Sequence, residues 1–417
     1  MTQRSRSKST PNAKSKADAD TDILIVGGGM IGAALCLGLK NLPWRVTIAD
    51  GRIPDDIPVP GLAHDSDFDQ RVSALSLGSE HWLKALGAWQ TMHPSRLGRY
   101  DQMQVWDADG GDAVTLSRDD AQLDHLGHII ENRTIERALW HQLSQWPELN
   151  RQLGQPVVDA QYDENRQWRV RFADHSTLCT RLLLIADGAM SPLRSALGFK
   201  TREWDYLHHA VVATVTHEKT HQRVARQAFH RHGPLAFLPL ATEHTSSIVW
   251  SLVPEEAERF IQATPEQQAI ALTRGLRDEL GAVTMASSVR SFPLYQRHAT
   301  HYILPGAALV GDAAHSIHPL AGQGANIGLL DAQAMVDELT HAATHHIPLE
   351  ETLLLRRYQR RRKVDNLLTM AGMEGLQHLF AADHHAIHWL RNRGMHWFNQ
   401  QPLLRRAAVE LASRLAD

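Results

Sequence analysis

Three separated segments of the 417-residue chain carry residue types and spacings that could do chemistry. The first is Gly27-x-Gly29-x-x-Gly32, with Asp50 further on. In such a pattern the first glycine permits a tight turn and the second lets the backbone approach a pyrophosphate. The third lets a helix pack close to a strand. The helix start then offers free N–H groups and a positive dipole end to phosphates. An acid roughly 20 residues on can hold a ribose hydroxyl, and Asp50 stands at that distance. This set implies a dinucleotide. Alone it does not separate FAD from NAD(P).

The second segment is Ala186-Asp-Gly-Ala-Met-Ser-Pro-Leu-Arg194, directly after an apolar run. The third is Val310-Gly-Asp-Ala-Ala-His-Ser-Ile-His-Pro-Leu-Ala-Gly-Gln-Gly-Ala-Asn-Ile-Gly328. After a strand, Asp312 can accept hydrogen bonds from ribityl hydroxyls. Pro319 to Asn326 reads as a Gly-rich turn into a helix, whose N–H groups could face the edge of a flavin where negative charge builds on reduction. Asp187-Gly188 by itself is a common turn pair. His315 and His318 have no nearby Cys or carboxylate cluster to complete a metal site, so no metal is expected and His315 reads as structural.

The elements that must position these residues are legible in outline. Residues 21–29 read as a buried strand entering a glycine turn, Ile31 to Leu39 as a helix, and Trp44 to Ala49 as a second strand, which is a βαβ unit. A proline-containing loop follows, and Gln70 to Leu86 reads as helical. Residues 103–107 and the turn after them suggest a hairpin, and Thr134 to Leu143 a helix. Residues 168–172, 181–186 and Ala307 to Val310 read as strands. Between 210 and 253 the pattern is strand-like, which places a β-rich second domain there. Helical signals dominate from Gly324 onward. The expected division is a tail at 1–20 and a discontinuous nucleotide-binding domain at 21–100, 127–195 and 296–345. A β-rich domain is expected at 101–126 and 196–295, and a helical region at 346–417.

Composition sets limits. A formal net charge of -3 provides no basic field for nucleic acid. Cys36 and Cys179 are too few and too isolated for a disulfide framework or a zinc site, which suits a reducing cytoplasm. No apolar run approaches the ~18 residues of a spanning helix. The first 20 residues are polar and rich in Ser, Lys and Arg, so they read as a disordered tail or a transit-like peptide.

The three segments, in this order, resemble the class A flavoprotein aromatic hydroxylases, whose signatures are a glycine fingerprint, a DG motif and a GD motif. Further runs are similar to the ubiquinone-biosynthesis flavin hydroxylases within that class. They are Arg71-Val-Ser-Ala-Leu-Ser, Met103-Gln-Val-Trp-Asp, His125-Leu-Gly-His-Ile-Ile-Glu-Asn132, Trp204-Asp-Tyr-Leu-His-His-Ala210, Ala225-Arg-Gln-Ala-Phe-His230 and Leu235-Ala-Phe-Leu-Pro-Leu240. The chain departs from them at Met190, where Asn is usual, and at Pro192, where Trp is frequent.

The resemblance implies an α/β fold like that of para-hydroxybenzoate hydroxylase. This is a Rossmann-like FAD-binding domain with an inserted β-rich substrate domain and a C-terminal helical region. It implies FAD contacts from Arg71 and Asn132, and places Gly322, Gln323, Gly324 and Asn326 at the flavin. Asp187 and Arg194 lie near the pyrophosphate and the NAD(P)H path. The implied reaction is hydroxylation of a polyprenylated phenol, of the 2-octaprenylphenol C5 type, through a flavin C4a-hydroperoxide. O2 is co-substrate and NAD(P)H docks transiently, since no second βαβ unit is visible. Other ring positions, another aromatic substrate, or a flavin-bound scaffold role fit the same motifs.

No base is assigned; His208, His209 and His230 are candidates that more often serve structure. Phe229, Phe237, Leu238 and Trp250 are candidate walls of the substrate site or plain core. The segment from Ala381 to Leu415, with Trp389, Leu390, Met395, Trp397 and Phe398, could meet a membrane surface or a partner, or pack on its own domain. The run Arg356 to Lys363 reads as a solvated helix face. A complex of biosynthetic enzymes, a homo-oligomer and a peripheral place at the inner membrane fit such a substrate.

Overall fold

The computed structural model describes residues 19–54, 68–108, 110, 113–316, 324–381 and 393–413. The N-terminal tail to residue 18, His318, Pro319, Gly322, Gln323, Trp389 and Leu390 lie outside them.

The nucleotide lobe grows from β1 (Thr21–Val26), α1 (Met30–Gly38) and β2 (Val46–Asp50). The last four residues of β1, Ile23 to Val26, are apolar and buried because both faces are covered, as a parallel strand requires. It pairs in parallel with β2 on one side and with β11 (Thr177–Ile185) on the other. The sheet continues in parallel through β8 (Asn150–Leu153) beside β2 and β19 (Ala307–Leu309) beside β11. Strand β18 (Ile303–Leu304) closes one end, and β9 (Val157–Tyr162) and β10 (Trp168–Phe172) form an antiparallel extension of β11. Helices α1, α3 (Asn132–Ser144), α7 (Gly324–Thr344) and α8 (Thr352–Ala381) complete this lobe.

A nine-stranded sheet forms the second layer. Its order is β20 (His315–Ser316), β17 (Arg290–Ala299), β12 (Thr201–His217), β15 (Thr245–Leu252), β14 (Gly233–Pro239), β13 (Val224–His230), β5 (Gln102–Asp107) and β6 (Val114–Ser117), with β16 (Val283–Met285) on β12. The expected hairpin at 103–107 is therefore present, and β13 captures its first strand in parallel. On the outer face, Val211, Ala213, Ile248, Phe237 and Leu235 pack with α5 (Pro254–Gln262) and α6 (Pro265–Gly275). On the inner face, Ala225, Ala236, Leu238 and Val249 meet a small sheet of β3 (Val72–Ser76), β7 (Gly127–Glu131) and β4 (Gly98–Tyr100).

Two expectations need correction, and one left open is decided. Gln70 to Leu86 is not one helix: Val72–Ser76 is a strand paired with β7, and α2 (Leu77–Ala85) begins only after Ser76 accepts the Ser79 N–H as its cap. Of the two roles open to them, Phe237 and Trp250 take plain core packing on the outer face, because the two-residue period of a strand gives the inner face to Leu238 and Val249. The basic run is not all solvated: Arg362 is buried where α8 packs on α7.

Candidate flavin site

The glycine turn is built by contact. A Cβ on Gly27, at φ +106°, would sit 2.3 Å from the Ala186 carbonyl oxygen, and one on Gly32 would sit 1.8 Å from that of Gly27. These glycines let the turn, the DG segment and α1 touch. Gly29 differs: no atom lies within 4 Å of where its Cβ would be. That open face adjoins the start of α1, whose cap carries no side-chain hydrogen bond. The first-turn N–H groups thus remain available to phosphates. Trp140 Nε1 donates to the Gly28 carbonyl at 2.7 Å, and Asp50 Oδ2 accepts from the Gly28 N–H at 2.6 Å. Asp50 sits at the end of β2 with its second oxygen on Arg52 N at 2.7 Å.

Asp187 follows β11. Burial raises its carboxyl, against the opposing pull of Ser191, and its Oδ1 is buried with no partner among the described residues. Arg194 is 4% exposed and donates to the carbonyls of Ala313 (3.0 Å) and Ala189 (2.9 Å). It is the strut that ties the DG segment to the GD segment. Burial, and then the nearby Arg297, lowers its pKa. Met190, the departure from the family pattern, is 77% exposed, with its sulfur 3.5 Å from Arg297 Nη1.

Asp312 is accessible to solvent, with protein close around its carboxyl. That crowding raises its carboxyl; His315 and Arg71 pull the other way. Arg71 is exposed and lies within electrostatic reach of Asp312, and its carbonyl accepts from Asn132 N at 2.9 Å. The side chain of Asn132 accepts from Ser73 Oγ at 2.6 Å. Arg71 is therefore brought near Asp312, and Asn132 is held against Arg71 and Ser73 at the strand β3. Gly324 opens α7, and among the described residues no atom lies within 4 Å of where its Cβ would be. Asn326 spends its amide on β3 and α2. Oδ1 accepts from Ser76 N (2.9 Å) and Ser79 Oγ (2.8 Å), and Nδ2 donates to the Ala74 carbonyl (2.7 Å).

Behind the GD segment lies a buried charged network that sequence reasoning missed. Asp331 of α7 is fully buried. Its Oδ2 accepts from Gly311 N (3.1 Å) and His315 Nε2 (2.5 Å), and its Oδ1 from Arg362 Nε (2.6 Å) and Asn366 Nδ2 (3.2 Å). Burial alone would raise the Asp331 carboxyl; His315 and Arg362 outweigh it and hold the pKa at about 2. His315 is thus structural, as expected. The signal available in sequence was the acid five residues beyond Asn326 in the same helix, but its partner Arg362 lies inside a run of exposed-looking cations.

The candidate bases are engaged locally: His208 Nδ1 with the Tyr206 carbonyl, His209 Nδ1 with Ser291 Oγ, and His230 Nε2 with the Gly275 carbonyl. On the inner face of the large sheet, the cross-strand pair Thr214 and Ser247 have buried hydroxyls without partners.

One other cluster has the donor types of a metal site. Glu80, His125 and His128 place a ligand atom each within 4.8 Å of one another. As arranged, both imidazoles contact Glu80 Oε2 (2.7 and 2.9 Å) and Lys84 Nζ holds Oε1 (2.5 Å). Those donors keep the Glu80 carboxyl well below its usual range despite burial, and Glu80 with Asp124 raises His125 against its burial. The group is an ion network clamping α2 to β7.

A glycine turn open to phosphates, a solvent-accessible acid after β19 and a buried carboxylate oxygen with no partner among the described residues are where FAD needs donors and acceptors, so the residues fit that cofactor. The sequence pattern of the family described as "FAD binding domain" matches residues 20–369. The chain belongs to this family of flavin-dependent monooxygenases. Over 94% of its length it is 33% identical to the 3-demethoxyubiquinol 3-hydroxylase of Escherichia coli, covering 98% of that protein. It is 32% identical to the human mitochondrial ubiquinone biosynthesis monooxygenase COQ6, with 94% of this chain and 92% of that protein covered. Among solved structures, p-nitrophenol 4-monooxygenase from Pseudomonas putida superposes with a TM-score of 0.76 over 93% of this chain and 96% of that one, at 16% identity, which shows the shared fold.

Proposed function

We propose that the protein hydroxylates the aromatic ring of a polyprenylated phenol in ubiquinone biosynthesis, with 2-octaprenylphenol-type C5 hydroxylation as the specific reaction. Bound FAD supplies the oxygen-activating chemistry, reduced by a transiently docked NAD(P)H, with O2 as co-substrate. The chain's own residues bind, orient and keep water out. The turn at Gly27 to Gly32 takes the pyrophosphate, Asp50 the ribose, Asp312 the ribityl chain, and Arg71 with Asn132 the flavin flank. Pro319, Gly322, Gln323 and Gly324 are assigned to the flavin edge.

The observation that carries this reading is the apolar inner face of the nine-stranded sheet. Ala225, Ala236, Leu238 and Val249 confront Ala74, Tyr100 and Leu126, with Asn326 at the same opening. Apolar walls at that opening suit an apolar aromatic and would keep water from reactive oxygen chemistry. The printed names of the similar proteins support ubiquinone precursors as its occupants. No helix among the described residues is long and apolar enough to cross a membrane. Trp397, Leu403 and Leu411, exposed at 56%, 81% and 60%, support contact of the C-terminal region with a membrane surface, where the substrate partitions.

Removing the gene should cause a prenylated precursor lacking one ring hydroxyl to accumulate, and its structure reports the ring position. The wild-type gene should clear it, and an Asp312→Ala variant that still folds should not. Full restoration by that variant would favour a scaffold role, and an unchanged quinone profile would contradict the proposal.

A further inference from the structure

We propose that Glu80, His125 and His128 form a binding site for one zinc ion, with Lys84 swinging aside to free its fourth position. The inference does not rest on the substrate proposed above.

The donors come from two elements and the turn beside them. Glu80 stands on α2, His128 on β7, and His125 just before that strand. His125 Nε2, His128 Nδ1 and a Glu80 oxygen lie within 4.8 Å of one another, and Glu80 and His125 are buried. Two imidazole nitrogens with one carboxylate oxygen are a zinc donor set, whereas calcium and magnesium take oxygens.

His125 is the side chain that argues for an ion. Its Nδ1 is 3.0 Å from Asp124 Oδ2 and its Nε2 is 2.7 Å from Glu80 Oε2. Both partners are acceptors, and a neutral imidazole has one N–H to give. Without metal the network therefore holds a buried imidazolium against a carboxylate that Lys84 already pairs at 2.5 Å. Zinc resolves this. Asp124 takes the Nδ1–H, which fixes the tautomer and aims the bare Nε2 at the ion, as carboxylates commonly do for imidazole ligands. With Lys84 turned away, Glu80 and Asp124 carry two negative charges for a divalent ion to balance. Arg99, 3.3 Å from Asp124, is matched by Asp101 at 2.7 Å.

Little movement is needed. Ligand atoms about 2.05 Å from a tetrahedral ion stand roughly 3.3 Å apart. The contacts of His125 and His128 with Glu80 Oε2 are 2.7 and 2.9 Å, so each must open by roughly half an ångström. Release of Lys84 lets the carboxylate make that move. The Lys84 side chain is 40% exposed, so water serves its ammonium almost as well as Glu80 does. Water then fills the fourth position on the ion.

The test titrates FAD-loaded full-length protein with zinc chloride by calorimetry. Wild type should bind one zinc per chain with micromolar affinity or tighter, and its melting temperature should rise as the ion ties α2 to β7. His125→Gln and His128→Gln each keep a polar side chain and remove an imidazole. Each should weaken binding at least tenfold and abolish the melting shift. Lys84→Met removes the competing cation and should tighten binding severalfold, a gain that an ion network without affinity for metal does not give. His345→Gln controls for the exposed pair His341 and His345, whose rings lie 4.1 Å apart, and should bind as wild type does. Absence of stoichiometric binding by wild type would overturn the site. So would wild-type affinity in a folded His125→Gln or His128→Gln, loss of binding in His345→Gln, or no tightening in Lys84→Met.

Discussion

Replacing Asp331 with Asn keeps the shape of a fully buried side chain and removes its charge. The carboxylate accepts four hydrogen bonds, from Gly311, His315, Arg362 and Asn366. An amide has one acceptor oxygen, so its NH2 must face at least one of those donors. The charged partners His315 and Arg362 hold the Asp331 carboxyl below its ordinary range despite burial, so the charge is stabilised where it stands. The variant also strands Arg362, whose remaining carboxylate partner, Asp365, is 41% exposed. Breaking a buried pair from one side typically costs about 3–5 kcal/mol, and that is the loss expected here. Urea unfolding of the FAD-loaded protein measures it, as a lower midpoint at constant slope. Because Gly311 N loses its acceptor, FAD should also bind about tenfold more weakly. Arg362→Met alone should cost a similar amount, and the double variant should cost at least about 2 kcal/mol less than the two single losses added together. A single-variant loss below about 1 kcal/mol, or an additive double variant, would refute the reasoning.

Three further outcomes follow from the structure. Gly32→Ala forces a methyl group into the Gly27 carbonyl, so the purified protein should lack flavin absorbance; normal FAD content would contradict the packing described. His298 is buried and its pKa is pushed down to about 4, by burial first and then by His315 and Lys363. Its folded pKa lies below its unfolded value, so the stability it contributes is present above about pH 6.5 and is lost as pH falls toward 4. Unfolding between those limits should take up one proton more in wild type than in His298→Gln, as read from the pH slope of the unfolding free energy; equal slopes would remove His298 from the account. Thr214→Val replaces a buried hydroxyl that has no partner, so stability should hold or rise by up to about 1 kcal/mol; a loss above 1 kcal/mol would show that the hydroxyl is satisfied in solution.

The nucleotide lobe was legible because its information is local. Gly27 to Gly32, the apolar strands on either side and Asp50 lie within one βαβ unit. The same holds for Asp187 after β11 and Asp312 after β19. What escaped depends on distant pairing. Arg71 to Ser76 has a composition that suits helix or strand, and only β7, some 55 residues later in register, decides for strand. Arg362 looks like its solvated neighbours until α8 is laid against α7, when its turn of the helix meets Asp331. The alternation of Phe237 and Leu238 shows that they face opposite ways, but which face is inner depends on where the nucleotide lobe docks. Glu80 and His125 come from separate elements, and nothing in their spacing brings them together.

The most direct measurement of the central claim is the fate of labelled oxygen. FAD-loaded protein is given NAD(P)H, ¹⁸O₂ and a prenylated phenol, and the products are weighed by mass spectrometry. The account predicts one labelled oxygen atom on the aromatic ring for each NAD(P)H consumed. NAD(P)H oxidation that leaves the ring unlabelled and releases only hydrogen peroxide would contradict it.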